Sequence, residues 1–260
     1  ALLLKCGDVS RYANNIHSVM KKKGLESHLI LGNQRYAEQG FHSFSHKDEL
    51  KWNHLVIGYI RSGKLHHGIA LYDQLYKDNI AIQPSEHTFV ALLKTCAKLK
   101  DREQGIQLHD HIVRIGLLKR SLFLGNALVD MYSKCGLLEN AQLVCNMIPF
   151  KDVISLTTLI SGYAEHGRGK DALGCFRRMF LEGMFPNLIT FICSLKACGS
   201  IGAIRKGLEI HAGIEELKLP EQDIAASTSL IDMYAKCGSL EKQRKFCIGL
   251  GIEMSSLGMH

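Results

Sequence analysis

Proline is scarce, with four residues in 260, so few backbone amides are missing and helices can run uninterrupted. The nine cysteines form no C-x-x-C pair, and neither H-x-E nor H-E-x-x-H occurs. That leaves no metal-ligand spacing and no disulfide framework. Small, buried, reduced thiols of an intracellular chain are expected instead, and no metal or other cofactor. No apolar run approaches the roughly 20 residues that span a bilayer, so no membrane partner is expected. Signal- and transit-peptide patterns are lacking as well. The chain opens at Ala1 rather than methionine, as expected of a fragment, so a missing targeting segment does not bear on location.

What is present is glycine, 24 residues of it, which calls for short and often punctuated helices. Apolar residues make up 46% of the chain and charged residues 22%, enough for a sizeable core. The net charge of +7 suits a polyanionic partner but does not require one.

Self-comparison is more informative. Val129-Asp130-Met131-Tyr132-Ser133-Lys134-Cys135-Gly136 recurs as Ile231-Asp232-Met233-Tyr234-Ala235-Lys236-Cys237-Gly238, a shift of 232 − 130 = 102 residues. Thr88-Phe89, Leu93-Lys94, Cys96, Gly105 and His109 recur at the same shift as Thr190-Phe191, Leu195-Lys196, Cys198, Gly207 and His211. The long period divides into three units, each a pair of short helices. In the unit opening at Val153, Leu159, Ile160 and Tyr163 mark one helix face and Gly167 breaks the chain. Ala172, Phe176 and Met179 line a second helix, which Gly183 and Pro186 close. Neither helix can bury its stripe alone; stacked pairs bury both, which makes an all-α solenoid.

These phrases, Gly125-Asn126-Ala127-Leu128-Val129-Asp130-Met131-Tyr132 above all, resemble the pentatricopeptide repeat family, in particular its plant subgroup of alternating P, L and S repeats. The resemblance implies a right-handed superhelical solenoid of helix-turn-helix units. Residues 49–85 and 153–187 are similar to P repeats, 86–121 and 188–222 to L repeats, and 122–152 and 223–247 to S repeats. Residues 1–48 resemble an L repeat followed by a truncated S repeat: Gly40 to Asp48 spans eight residues where Gly136 to Asp152 spans sixteen. Residues 248–260 keep no repeat pattern. The tetratricopeptide repeat is the competing helical array, but its tryptophan-leucine-glycine signature is missing.

The resemblance implies that the fifth and last residues of each P or S repeat read one base, while a branched residue at position two packs on its face. Carried over, Asn53 with Ser85 implies cytosine, Asn126 with Asp152 uracil, and Thr157 with Asn187 adenine. Leu50 and Ile154 stand at position two. The L repeats offer Val90 and Ile192 at position five, which have no polar group for a base. Helix capping is the alternative role for the polar residues. Arg61, Lys98, Lys134 and Lys236 share position thirteen, where they either track an RNA phosphate backbone or complement helix dipoles; Glu165 breaks that register. His109 and His211 are equivalent by repeat rather than a paired site. Trp52 aligns with Leu156 in an apolar slot, so it is expected in the core.

Members of this subgroup specify cytidine-to-uridine editing sites in organelle transcripts. Zinc deamination needs an H-x-E and a C-x-x-C, which this chain lacks. The expected function is therefore single-stranded RNA binding without catalysis, in a mitochondrion or chloroplast, with an editing deaminase or accessory protein acting in trans. Transcript stability, splicing or processing, and a protein–protein scaffold, are the alternatives.

Overall fold

A computed structural model describes residues 49–61, 63–77, 83–149, 151–216 and 223–249. The two N-terminal units expected over 1–48, and the tail beyond Gly249, lie outside the described residues. Among the described residues there are twelve α-helices and no strand. They pair in order as hairpins: α1 (Glu49–Arg61) with α2 (Leu65–Lys77), and α3 (Glu86–Leu99) with α4 (Arg102–Arg114). Then follow α5 (Leu122–Lys134) with α6 (Leu138–Met147), and α7 (Val153–Glu165) with α8 (Gly169–Leu181). Last come α9 (Leu188–Ile201) with α10 (Ile204–Glu216), and α11 (Ile224–Lys236) with α12 (Leu240–Gly249). The final helix continues two residues past Cys247, where the sequence pattern stops.

The chain forms two compact units, Ala1–Leu117 and Leu118–His260. In the second, α5, α7, α9 and α11 pack each on the next, so the first helices of four hairpins make one continuous layer. There α6, α8 and α10 each seat on their own partner and on the first helix of the following hairpin, and α12 seats on α11. In the first unit α1 and α3 pack together in the same way, with α2 against both. This is the all-α solenoid arrangement, in which hairpins bury one another's stripes.

Local chemistry sets the boundaries. Ser85, Asp101, Ser121, Asp152, Asn187 and Asp223 each stand in extended backbone just before a helix, and their side chains accept amide hydrogens of its first turn. At the hairpin between α7 and α8, Gly167 takes φ +72°, and the Arg168 amide donates back to the Tyr163 carbonyl at 2.9 Å. The apolar stripes then meet: Leu159, Ile160 and Tyr163 from α7, and Ala172, Phe176 and Met179 from α8, are all buried. Trp52 is buried too. The shorter S-like hairpin closes early because Ile148 follows α6 directly and packs onto Gly125, where a Cβ would come within 2.7 Å of Ile148 Cγ1.

Candidate nucleic-acid interface

The cap residues place the candidate site. Between α7 and α9, the Asn187 Oδ1 accepts the Thr190 amide and the Thr190 hydroxyl, each at 2.9 Å. The Thr157 hydroxyl lies 2.7 Å from that of Thr190. Thr157 and Asn187 are therefore brought together through Thr190 rather than touching directly. Between α5 and α7, Asp152 Oδ1 accepts the Ser155 amide at 2.8 Å and the Asn126 Nδ2–H at 3.3 Å. The Ser155 hydroxyl reaches Asn126 Oδ1 at 2.6 Å. Between α1 and α3, Asn53 Oδ1 accepts the Ser85 amide at 2.8 Å and the Thr88 hydroxyl at 2.5 Å, while Ser85 caps Thr88.

One cluster thus recurs three times, built from a fifth residue, the last residue of the same repeat, and the third residue of the next. Thr88, Ser155 and Thr190 are the members that the sequence reading missed. Their signal is a hydroxyl three residues after the cap. At the boundary between α9 and α11 the corresponding trio is Ile192, Asp223 and Ala226, with the cap one residue past the repeat end expected at 222; by sequence position Val90, Ser121 and Leu124 are the equivalents in the 86–121 and 122–152 repeats. There the caps still form, but no polar fifth residue joins them.

The cap consumes only one side of each side chain. A backbone N–H can only donate, so Asn187 must turn its carbonyl oxygen inward, and its exposed amide leaves Nδ2 as an unengaged donor. Asp152 likewise spends Oδ1 on the cap and keeps Oδ2 as an acceptor. Asn53 is 6% exposed, and its Nδ2 donates to the Glu49 carbonyl at 2.8 Å, so its polar atoms are largely committed within the fold.

Beside the Thr157–Asn187 pair lies an open groove of about 370 Å³. Ile154 and Ile189 border it, 58% and 61% exposed, and Lys134 and Glu165 also line it. Both isoleucines stand at position two of consecutive repeats; Ile189 was missed because it belongs to an L-like unit. Leu50 occupies the equivalent place in α1, but its side chain lies outside the described residues.

The position-thirteen register is less uniform than its sequence spacing. Arg61 and Lys98 are exposed at the end of α1 and α3. Lys134 and Lys236 each bond the aspartate four residues earlier, Asp130 at 2.9 Å and Asp232 at 2.8 Å. Glu165 accepts from Ser161, and Ser200 stands at this position in α9. In the second unit, then, two of four positions are cationic, and both cations are partly neutralised.

The eight described cysteines are free thiols, seven of them buried. Burial pushes Cys175 and Cys198 up to about 12, far from the thiolate a metal or nucleophilic site needs. His211 donates or accepts at Nδ1 with the Tyr234 hydroxyl, 2.7 Å away, and packs edge-on against Phe246. Among the described residues no group of three or more His, Cys, Asp or Glu side chains could hold a metal ion.

Comparison with known proteins agrees with this layout. The PPR repeat family profile matches residues 151–200, and a PPR repeat profile matches 52–80. A chloroplastic pentatricopeptide repeat-containing protein of Arabidopsis thaliana is 33% identical over 252 residues, covering 96% of this chain and 39% of that protein. A mitochondrial one from the same plant is 32% identical over 241 residues, covering 88% and 23%. The chain therefore spans well under half the length of these relatives. Among solved structures, the pentatricopeptide repeat protein PPR10 from maize has a TM-score of 0.50 at 16% identity, covering 91% of this chain and 41% of that one. Nuclear proteinaceous RNase P 2 of A. thaliana has 0.53 at 15% identity, covering 64% and 38%. These two likenesses concern the fold. Repeat spacing, hairpin architecture and relatives agree: the chain belongs to the pentatricopeptide repeat family.

Proposed function

We propose that this chain binds single-stranded RNA sequence-specifically, and that it marks sites for cytidine-to-uridine editing of organelle transcripts without a catalytic centre of its own. The observation that carries the reading is the threefold polar cluster. It recurs at each boundary where the family resemblance puts a base-reading pair, and not where the fifth residue is apolar.

Capping and base reading are compatible on this view, because the cap uses the inward atom and leaves the outward one. The Asn187 Nδ2 donor suits N1 of adenine, and the Thr157 oxygen can accept from the adenine amino group. The Asp152 Oδ2 acceptor suits N3–H of uracil, with Asn126 Nδ2 donating to a uracil carbonyl. Asn53 with Ser85 is the cytosine pair that the family resemblance implies, though here the polar atoms of Asn53 are largely committed within the fold. A base entering the groove lies between Ile154 and Ile189, whose exposed faces replace its stacking neighbours. Lys98, Arg61, Lys134 and Lys236 contribute the sequence-independent attraction to phosphates. The deamination itself falls to a deaminase or accessory protein in trans, or to a part of a longer chain. The chloroplastic and mitochondrial relatives support an organelle as the place of work.

The test is a titration of the chain with short single-stranded RNA containing C-N-U-A, against a scrambled sequence, at several salt concentrations. Tighter binding to C-N-U-A, weakening as salt rises, supports the proposal. Equal binding to both sequences contradicts it.

A further inference from the structure

We infer that the hydroxyl at the third position of the following repeat is a positioning residue that sets the base preference of the repeat before it. This rests on the RNA-reading function proposed above, and the residues are Thr88, Ser155 and Thr190.

A hydroxyl has one hydrogen to give. The Thr190 hydroxyl can give its hydrogen to Asn187 Oδ1 at 2.9 Å, the same oxygen that accepts the Thr190 amide, or to Thr157 Oγ1 at 2.7 Å. With the hydrogen in the Asn187 bond, the Thr157 hydroxyl is the donor to Thr190 Oγ1. The relay runs in one direction, from Thr157 through Thr190 to Asn187. It leaves Thr157 facing the groove as an acceptor, beside Asn187 as a donor. That donor–acceptor order matches adenine, which accepts at N1 and donates from its amino group. Guanine, which donates at N1 and accepts at O6, finds the wrong partner at both places. Without the Thr190 hydroxyl, the Thr157 proton is free to swing outward, and the pair accommodates either purine.

At the preceding boundary the same logic gives the opposite polarity. The Ser155 hydroxyl has two acceptors within reach, Asn126 Oδ1 at 2.6 Å and Asp152 Oδ1 at 2.8 Å. With Asn126 Oδ1 turned to Ser155, Asn126 Nδ2 faces Asp152 Oδ1 at 3.3 Å and is a donor. Asp152 Oδ2 is the acceptor next to it. This order fits uracil and opposes cytosine. Thr88 holds Asn53 by the same bond at 2.5 Å. The chain supplies its own control, since Leu124 and Ala226 take the third position after the apolar fifth residues Val90 and Ile192.

The experiment measures binding of the whole chain to RNA oligonucleotides that differ only at the nucleotide under test. With Thr190→Val, preference for C-N-U-A over C-N-U-G is expected to fall by about tenfold, the size of one hydrogen bond in a buried network. Preference for uracil over cytosine one nucleotide earlier is expected to stay, and Thr190→Ser to restore discrimination. A residue that only stabilised the fold would weaken binding to all sequences alike and leave both ratios unchanged. Ser155→Ala gives an independent arm, expected to lose uracil-over-cytosine preference while keeping adenine over guanine. It carries the test if Thr190→Val does not fold by circular dichroism. A wild-type chain that discriminates, with variants that discriminate equally well, overturns the positioning role. A wild-type chain with no preference overturns the RNA-reading function itself.

Discussion

Gly169 and Gly174 stand five residues apart on α8, and alanine at each is expected to move stability in opposite directions. At Gly169, the first residue of the helix, a Cβ would lie 2.7 Å from the Ala197 carbonyl oxygen, from Ile201 Cγ2 and from Ser200 Oγ. The serine could rotate away, but the carbonyl belongs to the backbone of α9 and cannot. Relief requires α8 and α9 to separate by several tenths of an ångström, across the contact that joins one hairpin to the next. Overpacking of that kind costs about 1–3 kcal/mol. At Gly174, mid-helix and exposed, a Cβ would meet nothing within 4 Å. There alanine gains only the helix-propensity difference, about 0.8–1 kcal/mol. Urea unfolding followed by far-ultraviolet circular dichroism measures both. Gly169→Ala should lower the midpoint and Gly174→Ala raise it, with similar slopes. A raised midpoint for Gly169→Ala would refute the close approach of α8 and α9.

Two further outcomes follow from the same geometry. Asp130 neutralises Lys134 beside the groove, so Asp130→Asn is expected to tighten RNA binding about two- to fivefold and to increase its salt dependence, as read by titration at two ionic strengths; unchanged or weaker binding would argue that Lys134 does not meet phosphate. Burial raises the Cys175 and Cys198 thiols from 9.0 to about 12, so the folded chain holds on to protons that the unfolded chain releases. That contribution to stability is complete below pH 9 and is lost as pH rises towards 12, so the urea midpoint should drop between pH 8 and pH 10.5. Alkylation of both thiols at pH 8 should require unfolding, and rapid labelling of the native chain would contradict their burial.

The hairpins were legible in the sequence because their signals are local. Glycine after a helix, a capping side chain before one, and apolar residues at three- and four-residue spacing each act within a single turn. Ser85, Asp152 and Asn187 could be named as repeat ends for the same reason. What spacing alone did not reveal is how polar atoms are shared between neighbouring helices. Thr190 looks like an ordinary first-turn residue until α7 packs beside it and brings Thr157 within reach. The pairing of the position-thirteen cations was hidden for a related reason. Lys134 and Lys236 repeat at constant height, but so do Asp130 and Asp232 one turn earlier, and each lysine is drawn to its own helix. Capping and base reading looked like rivals for Asn187 because a sequence does not say that a cap engages only one end of an amide.

The central claim is that the outward atom of the capping residue chooses the base. Reciprocal exchange tests it most directly: Asn187→Asp and Asp152→Asn, each keeping a side chain able to cap, measured against RNA with all four bases at each of the two nucleotides. The account predicts that Asn187→Asp moves preference from adenine towards guanine at its own nucleotide, and that Asp152→Asn moves it from uracil towards cytosine at the one before. Each change should leave the other nucleotide's preference intact. Exchanges that alter overall affinity without changing either preference would contradict it.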